Sequence, residues 1–372
     1  MYIAQALCAS ILVLWNGVLV HSITITGVTN VSSVILPYHA TFEATSKGNT
    51  CIGDISAIAF TPGLNATQVL LLADRSHIYS ARLEITDARI QDVEFLDDSK
   101  IFTADCPECK LDTEGLAIVN HTAFVSTEPP SILQCPLNME QTRSADACLP
   151  IRSDHRANPF ASYLSRASVN KGFESLCVAV SGTQLVTGTE RWLSRDEPGL
   201  VRLTAFDHIH GIVSSAGPSY EFIYRLSSSA FGTLELVELV ALDQRGLGNG
   251  GQFLGLERWW SADVGNFIRL FSVSTRGATD VKACAQLSTI DPKCGGDQTV
   301  LVKKDLVFEW SKEKPLAPNV FVDNYEGMAL LPSLVLPGIW LVLVNDNNNN
   351  AAQVGAHAFH HGRPAHNLLN FE

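Results

Sequence analysis

A hairpin pattern that returns along the chain constrains its fold more than any other feature. Three segments place an acid before a short apolar run, at residues 113–117 (TEGLA), 173–177 (FESLC) and 325–329 (YEGMA). Two looser copies have Ser56 and Glu238 at the position of the acid. A second apolar run follows each copy and ends in an acid, at Asp74, Glu128, Glu190, Glu257 and Asp346. Internal repetition of this kind indicates an architecture of stacked units.

The spacing of the copies predicts the architecture. Their first members stand at positions 56, 114, 174, 238 and 326, so successive copies are 58, 60, 64 and 88 residues apart. Short apolar runs separated by Gly, Pro, Asn or Asp indicate many strands joined by hairpins, and this spacing fits four-stranded propeller blades. We therefore predict an all-β chain, a β-propeller of five four-stranded blades. Six blades are the alternative if the longest gap hides a degraded blade rather than an insertion.

The end of the chain bears on how such a ring closes. Only 26 of the 372 residues follow Asp346, so the last blade is expected to borrow a strand from residues 23–48. Closure of this kind removes exposed sheet edges. The prediction is one propeller domain over residues 23–372.

Charge and the first residues narrow the compartment and the partners. Acids outnumber bases 38 to 26, a net charge of −12, which disfavours binding to nucleic acid or to an anionic membrane surface. Residues 4–20 carry no charge, and we interpret residues 1–22 as a secretory signal peptide, with an uncleaved membrane anchor as the alternative. No later segment reaches the length of a membrane span. The protein is therefore expected to be secreted and extracellular.

The cysteines and glycosylation sequons agree with export. Eight cysteines remain after the signal, and in an oxidising compartment we expect them to form disulfides. Only two local pairs can be predicted from spacing, Cys135–Cys148 and Cys284–Cys294. Three sequons, at Asn30, Asn65 and Asn120, predict a glycoprotein.

The repeated acids are expected to share one site. In an antiparallel hairpin the start of the first strand and the end of the second lie at the same end, and radial stacking brings all such ends to one mouth of the central channel. Clustered carboxylates must protonate, pair with arginine or bind a cation, and a set of hard oxygen ligands suits Ca²⁺. The predicted metal ligands are Asp74, Glu114, Glu128, Glu190, Glu238, Glu257 and Asp346.

Several of these segments also resemble a known family. The runs that carry the resemblance are 54–59 with 72–76, 112–117, 172–176, 254–258, and 324–329 with 344–348. In this order they are similar to the phytase-like family, also described as "esterase-like activity of phytase", over residues 50 to 360. The resemblance implies a β-propeller and hydrolysis of phosphoesters or other esters. Ser56, Ser175 and Pro129 depart from the expected pattern.

Together the repeats and the resemblance favour an enzyme over a binding module. The expected function is a secreted phytase-like hydrolase of a small-molecule phosphate or other ester, working as a monomer. Glu174 and Glu326 are the candidate catalytic residues, which would position or deprotonate water. Arg75, Arg191 and Arg258 are the candidate ligand-binding residues, because guanidinium groups offer planar forks to phosphate. The alternatives are a lactonase-like hydrolase and a non-catalytic propeller that binds a ligand or partner with structural calcium.

Overall fold

The structure, a computed structural model, describes most of the chain but not all of it. The described residues are 28–35, 41–44, 48–51, 54–61, 67–74, 76–86, 89–101, 103, 111–138, 143–144, 148–153, 158–168, 171–179, 182–209, 212–213, 217–230, 232–261, 263–311, 322–331, 339–346 and 365–371. The predicted signal peptide and Arg75 lie outside these residues.

The first half of the described chain forms a hairpin and two larger antiparallel sheets. The strands are β1 (Val28–Ile35), β2 (Thr41–Ala44), β3 (Gly48–Cys51), β4 (Ile55–Phe60), β5 (Gln68–Ala73), β6 (His77–Thr86), β7 (Arg89–Lys100), β8 (Asp112–Val119), β9 (Thr122–Glu128), β10 (Ser131–Asn138), β11 (Arg143–Ser144), β12 (Leu149–Pro150) and β13 (Arg152–Ser153). Strands β2 and β3 pair as a hairpin, β4 to β7 form the first blade in sequence order, and β8 to β12 form the second.

The second half begins with a short helix and forms three larger sheets and one small hairpin. The elements are α1 (Ala161–Leu164), β14 (Phe173–Ala179), β15 (Gln184–Thr189), β16 (Leu200–Ile209), β17 (Ile212–Val213), β18 (Tyr220–Arg225), β19 (Ser228–Ser229), β20 (Gly232–Thr233), β21 (Glu235–Ala241), a 3₁₀ turn (Leu247–Asn249), β22 (Gln252–Ser261), β23 (Gly265–Ser274), β24 (Lys303–Ser311), β25 (Tyr325–Leu331), β26 (Ile339–Asn345) and β27 (Ala365–Phe371). The third blade is built on β14, β15, β16 and β18, with β13 and β17 added to it, and the fourth on β21 to β24.

The fifth blade joins the two ends of the described chain. Its order is β25, β26, β27 and then β1, which pairs with β27 in antiparallel fashion. The first strands of the five blades (β4, β8, β14, β21 and β25) contact one another in this order, and β25 contacts β4 again. The all-β propeller predicted from the repeats is therefore confirmed, with four blades continuous in sequence and a fifth that closes the ring.

Alternation of side chains along a strand explains how the blades pack. In β5, Val69 and Leu71 belong to the cluster that includes Trp340 of the fifth blade. Leu70 belongs to the cluster that includes Val125 of the second blade. Successive side chains of a strand point to opposite faces, so a strand buried on both faces is a continuous apolar run rather than an alternating one.

The longest gap between copies contains an insertion. Residues 275–302, between β23 and β24, form turns with no strand, so the described part of this gap provides no sixth blade. The insertion packs on the third blade, where Leu287 donates its backbone N–H to Asp196 Oδ1 at 2.7 Å. A disulfide joins Cys284 to Cys294 inside it.

The cysteines only partly match the prediction. Both predicted local disulfides are confirmed, Cys135–Cys148 in the second blade and Cys284–Cys294 in the insertion. Cys177 is a buried free thiol, so the expectation that all eight cysteines pair is wrong there. No helix in the described segments is long and apolar enough to cross a membrane.

Candidate active site at the propeller mouth

Three positions recur at one end of the inner hairpin of each blade. We name them entry, bulge and exit. The entry residues, beside the start of the inner strand, are Asp54, Asp112, Gly172, Glu235 and Asn324. The bulge residues, at the irregularity in the inner strand, are Ser56, Glu114, Glu174, Val237 and Glu326. The exit residues, opposite the entry residues, are Asp74, Glu128, Glu190, Arg258 and Asp346.

The bulge residue owes its placement to an extra residue in the inner strand. In the third blade Phe173 pairs with Thr189 and Ser175 pairs with Gly188, which leaves Glu174 without an opposite residue. The other four inner strands show a register shift at the corresponding point. A β-bulge bends the strand and re-aims a side chain. The bulge and exit side chains therefore converge on the end of the ring that we call the mouth.

Carboxylates of different blades meet at the mouth in three groups. The groups are Asp74 with Glu114 and Glu326, Asp112 with Glu114 and Glu128, and Glu128 with Glu174 and Glu190. Within each group, one carboxylate oxygen of each residue lies within 4.8 Å of the others. Glu114 and Glu128 each belong to two groups, so the acids form a continuous arc across three blade boundaries.

Crowding changes the protonation of the arc. Burial raises the pKa of Asp74, Glu114 and Glu174 well above the ordinary carboxylic range, and neighbouring carboxylates raise it further. The hydroxyl of Ser56, the bulge residue of the first blade, donates to Asp74 and lowers its pKa in part. Bringing like charges together without a cation favours the neutral acid.

Two acids of the arc have pKa values close to neutral pH. Burial raises the pKa of Glu128 to about 7, although the Gly172 N–H that donates to its carboxylate opposes this. Burial also raises the pKa of Glu190 to about 8, against the attraction of Arg258 and Lys171. Groups with pKa values near the working pH are suited to proton transfer.

Arg258 is the least exposed of the cations that the structure describes at the mouth. Its Nη2 lies 2.6 Å from Glu326 Oε1 and 3.7 Å from Glu190 Oε1, and its Nη1 donates to Asn324 Oδ1 at 2.6 Å. Burial lowers the pKa of Arg258, but Glu326, Glu190 and Glu235 outweigh it and raise the pKa overall. The guanidinium therefore ties the third, fourth and fifth blades together.

Two further cations lie on the same side of the mouth. Lys171 Nζ is 2.6 Å from Glu190 Oε2 and 3.6 Å from Glu235 Oε2, and Arg191 forms an ion pair with Glu235. Burial raises the pKa of Glu235, but its hydrogen bond with Glu190 and the nearby cations outweigh it, so the pKa is lowered overall. Glu235 thus remains an anion between Lys171 and Arg191.

The fifth blade contributes Asp346 through a hydrogen-bonded asparagine. Asn324 Nδ2 donates to Glu326 Oε1 at 2.9 Å and to Asp346 Oδ2 at 3.4 Å. Asn324 also accepts the Asp346 backbone N–H at its carbonyl at 2.9 Å. Asp346 is therefore adjacent to the arc and is held there by the Asn324 amide.

The fourth blade departs from the predicted pattern by one residue. Its register pairs Leu236 with Glu257 and Glu235 with Arg258, so Val237 is the bulge residue and Arg258 the exit residue. The predicted acids, Glu238 and Glu257, each lie one residue away from the equivalent positions. A shift of one residue in a strand turns a side chain to the opposite face.

Glu238 consequently lies among the inner strands rather than in the arc. Its Oε1 accepts the backbone N–H of Leu239 at 2.8 Å and that of Leu176, in the third blade, at 3.3 Å. Burial raises the pKa of Glu238 well above the ordinary range, although these hydrogen bonds and one from Met328 of the fifth blade lower it. Glu238 therefore bridges three inner strands and does not join the three groups.

Glu257 makes its contacts between the third and fourth blades. Tyr224 Oη donates to Glu257 Oε1 at 2.7 Å, the Ser227 N–H donates to Oε2 at 3.0 Å, and Lys304 forms an ion pair with the same carboxylate. These partners differ from those of Arg258, so Glu257 is not brought together with the other predicted metal ligands.

Four residues of the mouth were missed in the sequence. Asp112, Glu235 and Asn324 are entry residues, two residues before the bulge, and Lys171 directly precedes the entry residue Gly172. The signal for Asp112 and Lys171 is available in the sequence, because each stands two or three residues before a repeated acid. Glu235 is recognisable only once the register of the fourth blade is known.

The chain is similar to one known family and, remotely, to solved structures. A family model described as "Phytase-like: Esterase-like activity of phytase" matches residues 50–349. A solved structure titled "Structure of U3-55K" is similar with a TM-score of 0.37 and 10% identity, covering 91% of this chain and 98% of that chain. Another, "Structure of Dos1 propeller", has a TM-score of 0.33 and 7% identity, covering 88% of this chain and 69% of that chain. No curated protein matches the chain.

Proposed function

This chain belongs to the phytase-like family, and we propose that it is a secreted hydrolase of phosphate or other esters that works at the mouth with bound Ca²⁺. The observation that carries the proposal is the arc, where Glu114 and Glu128 are each shared between two groups of carboxylates. Such a concentration of partly buried acids is costly for folding. Binding of a cation at this site would offset the cost, and the bound cation would in turn attract an anionic substrate.

The donor set fits calcium. All the donors are carboxylate oxygens, and Ca²⁺ takes six to eight oxygens in irregular geometry. The groups centred on Glu114 suit the ion best, because the charged neighbours that most shift the pKa of Glu114 are all carboxylates. The third group is less suitable, because Lys171 already lies against Glu190. Bound Ca²⁺ would supply positive charge that neutralises the developing charge on a phosphoryl group.

We assign proton transfer, the positioning of water and the binding of ester oxygens to residues of the chain. Glu174 is the proposed general base, because its raised pKa makes it a stronger base, and Ca²⁺ on the neighbouring Glu114 would keep it ionised. Glu326 is held by Arg258 and Asn324, so we assign it the positioning of the attacking water. Of the three arginines predicted to bind the ligand, Arg75 and Arg191 are the proposed cations for ester oxygens, whereas we assign Arg258 to fixing Glu326 in place.

A substrate panel with a matched pair of variants tests the proposal. The wild-type protein and Glu174→Gln are assayed with a chromogenic phosphate monoester, phytate and a lactone, with Ca²⁺ and with chelator. We expect calcium-dependent turnover and a loss in kcat of about 10²-fold or more in Glu174→Gln, since a general base contributes roughly 10²–10⁴-fold. Glu94→Gln is the control, because Glu94 pairs with Arg82 in the exposed outer strands of the first blade.

Two outcomes would contradict the proposal in different ways. Full activity of Glu174→Gln removes this residue from the mechanism. No turnover of any substrate, combined with a melting temperature that Ca²⁺ raises, would instead identify a binding propeller with structural calcium.

A further inference from the structure

The mouth has two electrostatic halves. In the half formed by the first and second blades, the charged neighbours that most shift the pKa of Asp74 and Glu114 are carboxylates. In the half formed by the third to fifth blades, the acids Glu190, Glu235 and Glu326 contact cations. A phosphate ester that lies across the mouth therefore meets different chemistry at its two sides.

Arg258 is poorly placed to receive a ligand. Both of its terminal nitrogens are engaged, one by Asn324 and the other by Glu326 and Glu190. Its side chain is only 17% exposed. Removing it from these partners would leave the buried Glu326 carboxylate without this cation and Glu190 with Lys171 alone. Arg258 is therefore a structural cation.

Lys171 and Arg191 are the accessible cations of this half. Their side chains are 26% and 44% exposed. They approach the two different oxygens of the Glu235 carboxylate, Lys171 at Oε2 and Arg191 at Oε1. A single carboxylate thus holds an ammonium and a guanidinium side by side at the open edge of the mouth.

We propose that Lys171 and Arg191 form the anion-binding subsite of the mouth and clamp the non-bridging oxygens of a phosphate monoester. This inference rests on the proposed function and assigns its substrate-binding cations. A carboxylate held by an ammonium and a guanidinium occupies the place that two phosphate oxygens would take. Glu235 keeps the two cations together in the free protein, and the phosphate shares or replaces its contacts when it binds.

Lys171 keeps its charge at this subsite. The pKa of Lys171 is lowered by burial, but Glu190 and Glu235 outweigh this and raise it overall, so its ammonium is fully charged. Lys171 directly precedes Gly172, whose N–H donates to Glu128 in the arc. The backbone that carries the subsite therefore also fixes one of the proposed metal ligands beside it.

Variants of the two cations test the subsite. In Lys171→Met and Arg191→Met we expect KM for a chromogenic phosphate monoester to rise about tenfold or more, because each variant loses one charge-assisted hydrogen bond to the phosphate. The expected change in kcat is less than threefold, since neither residue is assigned a role in proton transfer. Lys171→Arg is expected to restore KM to within threefold. Arg82→Met is the control, because Arg82 pairs with Glu94 far along the blade from the bulge and exit positions.

Direct binding separates this inference from the proposed function. Inorganic phosphate is titrated calorimetrically into the wild type and both variants, each checked for an unchanged far-ultraviolet circular dichroism spectrum. Weakened phosphate binding in both variants supports the subsite even if no ester is hydrolysed. The absence of hydrolysis would refute only the proposed function. Turnover with unchanged KM and unchanged phosphate binding in both variants would overturn the subsite and leave the proposed function standing.

Discussion

Glu238 shows how much the identity of one residue depends on its neighbours in the ring. The equivalent position holds Ala57, Gly115, Ser175 and Gly327 in the other blades. These residues are small because the next inner strand passes close by. The fourth blade places a carboxyl group there instead, with backbone N–H groups of the third and fifth blades as its donors. A carboxyl group in such a place is stable mainly in its neutral, protonated form.

Glu238 is therefore expected to make stability depend on pH. Its pKa is raised in the folded protein, so the folded state holds the proton after the unfolded state has released it. The free energy of unfolding must then fall as pH rises above the unfolded carboxyl pKa of about 4.3, by up to about 1.4 kcal/mol per pH unit. Glu238→Gln cannot bind this proton. Its free energy of unfolding, measured by urea denaturation, should therefore fall less steeply between pH 5 and 8.

The slope with pH distinguishes this effect from a simple change in packing. A misplaced amide hydrogen in Glu238→Gln would shift stability by a constant amount at every pH. Glu94→Gln, in the outer strands of the first blade, should leave the slope of the wild type unchanged. Equal slopes in the wild type and Glu238→Gln would show that Glu238 is ionised in the folded protein.

Arg258 is the second residue whose effect can be predicted from its contacts. Arg258→Met would leave Glu326 and Glu190 without their guanidinium partner. In calcium-free buffer we expect a loss of about 3 kcal/mol in the free energy of unfolding, as for other broken buried ion pairs. Arg82→Met breaks an exposed pair and should cost no more than about 1 kcal/mol. Similar losses for the two variants, measured by urea denaturation, would mean that Arg258 is not a structural cation.

The inner strand is the element that decides which residues reach the mouth. The sequence alone predicts the hairpins, their phase and six acids that meet in the arc, because those acids adjoin apolar runs of clear periodicity. The fourth blade could not be predicted in this way. Its V-E-L sequence at 237–239 places an acid next to the bulge rather than at it, and the position of a bulge depends on strand pairing that the one-dimensional pattern does not record.

The same element explains the glycine that follows the acid in two copies of the repeat. A Cβ on Gly327 would lie 2.7 Å from both Ala57 Cα and Ser56 O of the first blade. Both atoms belong to backbone, which cannot move aside without disturbing the adjacent bulge. The close approach of inner strands thus requires glycine here, and the E-G pair is a packing signal as much as a chemical one.

Gly327→Ala is expected to destabilise the ring. The added methyl group forces the fifth and first blades apart, at a cost of about 1–3 kcal/mol for overpacking. Gly217→Ala is the matched control, because a Cβ there meets no atom within 4 Å. The melting temperature should fall in Gly327→Ala and stay within about 1 °C of the wild type in Gly217→Ala, given the usual relation of stability to melting temperature. Equal melting temperatures would show that the inner strands adjust without cost.

At the scale of the whole molecule, the mouth exists only because the ring closes. The acids of the arc come from the first, second, third and fifth blades, and Glu326 of the fifth blade meets Asp74 of the first across the closing boundary. The blade that closes the ring is completed by β1, which pairs with β27 from Val28 to Ile35 and covers the open edge of the fifth blade. The two ends of the described chain thus meet in the blade that closes the site.

Two truncations separate the role of β1 from that of the residues before it. A protein that begins at residue 28 retains β1, whereas one that begins at residue 36 exposes the backbone N–H and C=O groups of β27 as a free edge. We expect the first to match the full chain in melting temperature and the second to melt lower and to associate, as measured by calorimetry and light scattering. The loss of β1 should also weaken the proposed calcium binding, because the fifth blade carries Glu326 and Asp346. Unchanged stability and calcium affinity in the shorter protein would mean that packing of the inner strands closes the ring without the borrowed strand.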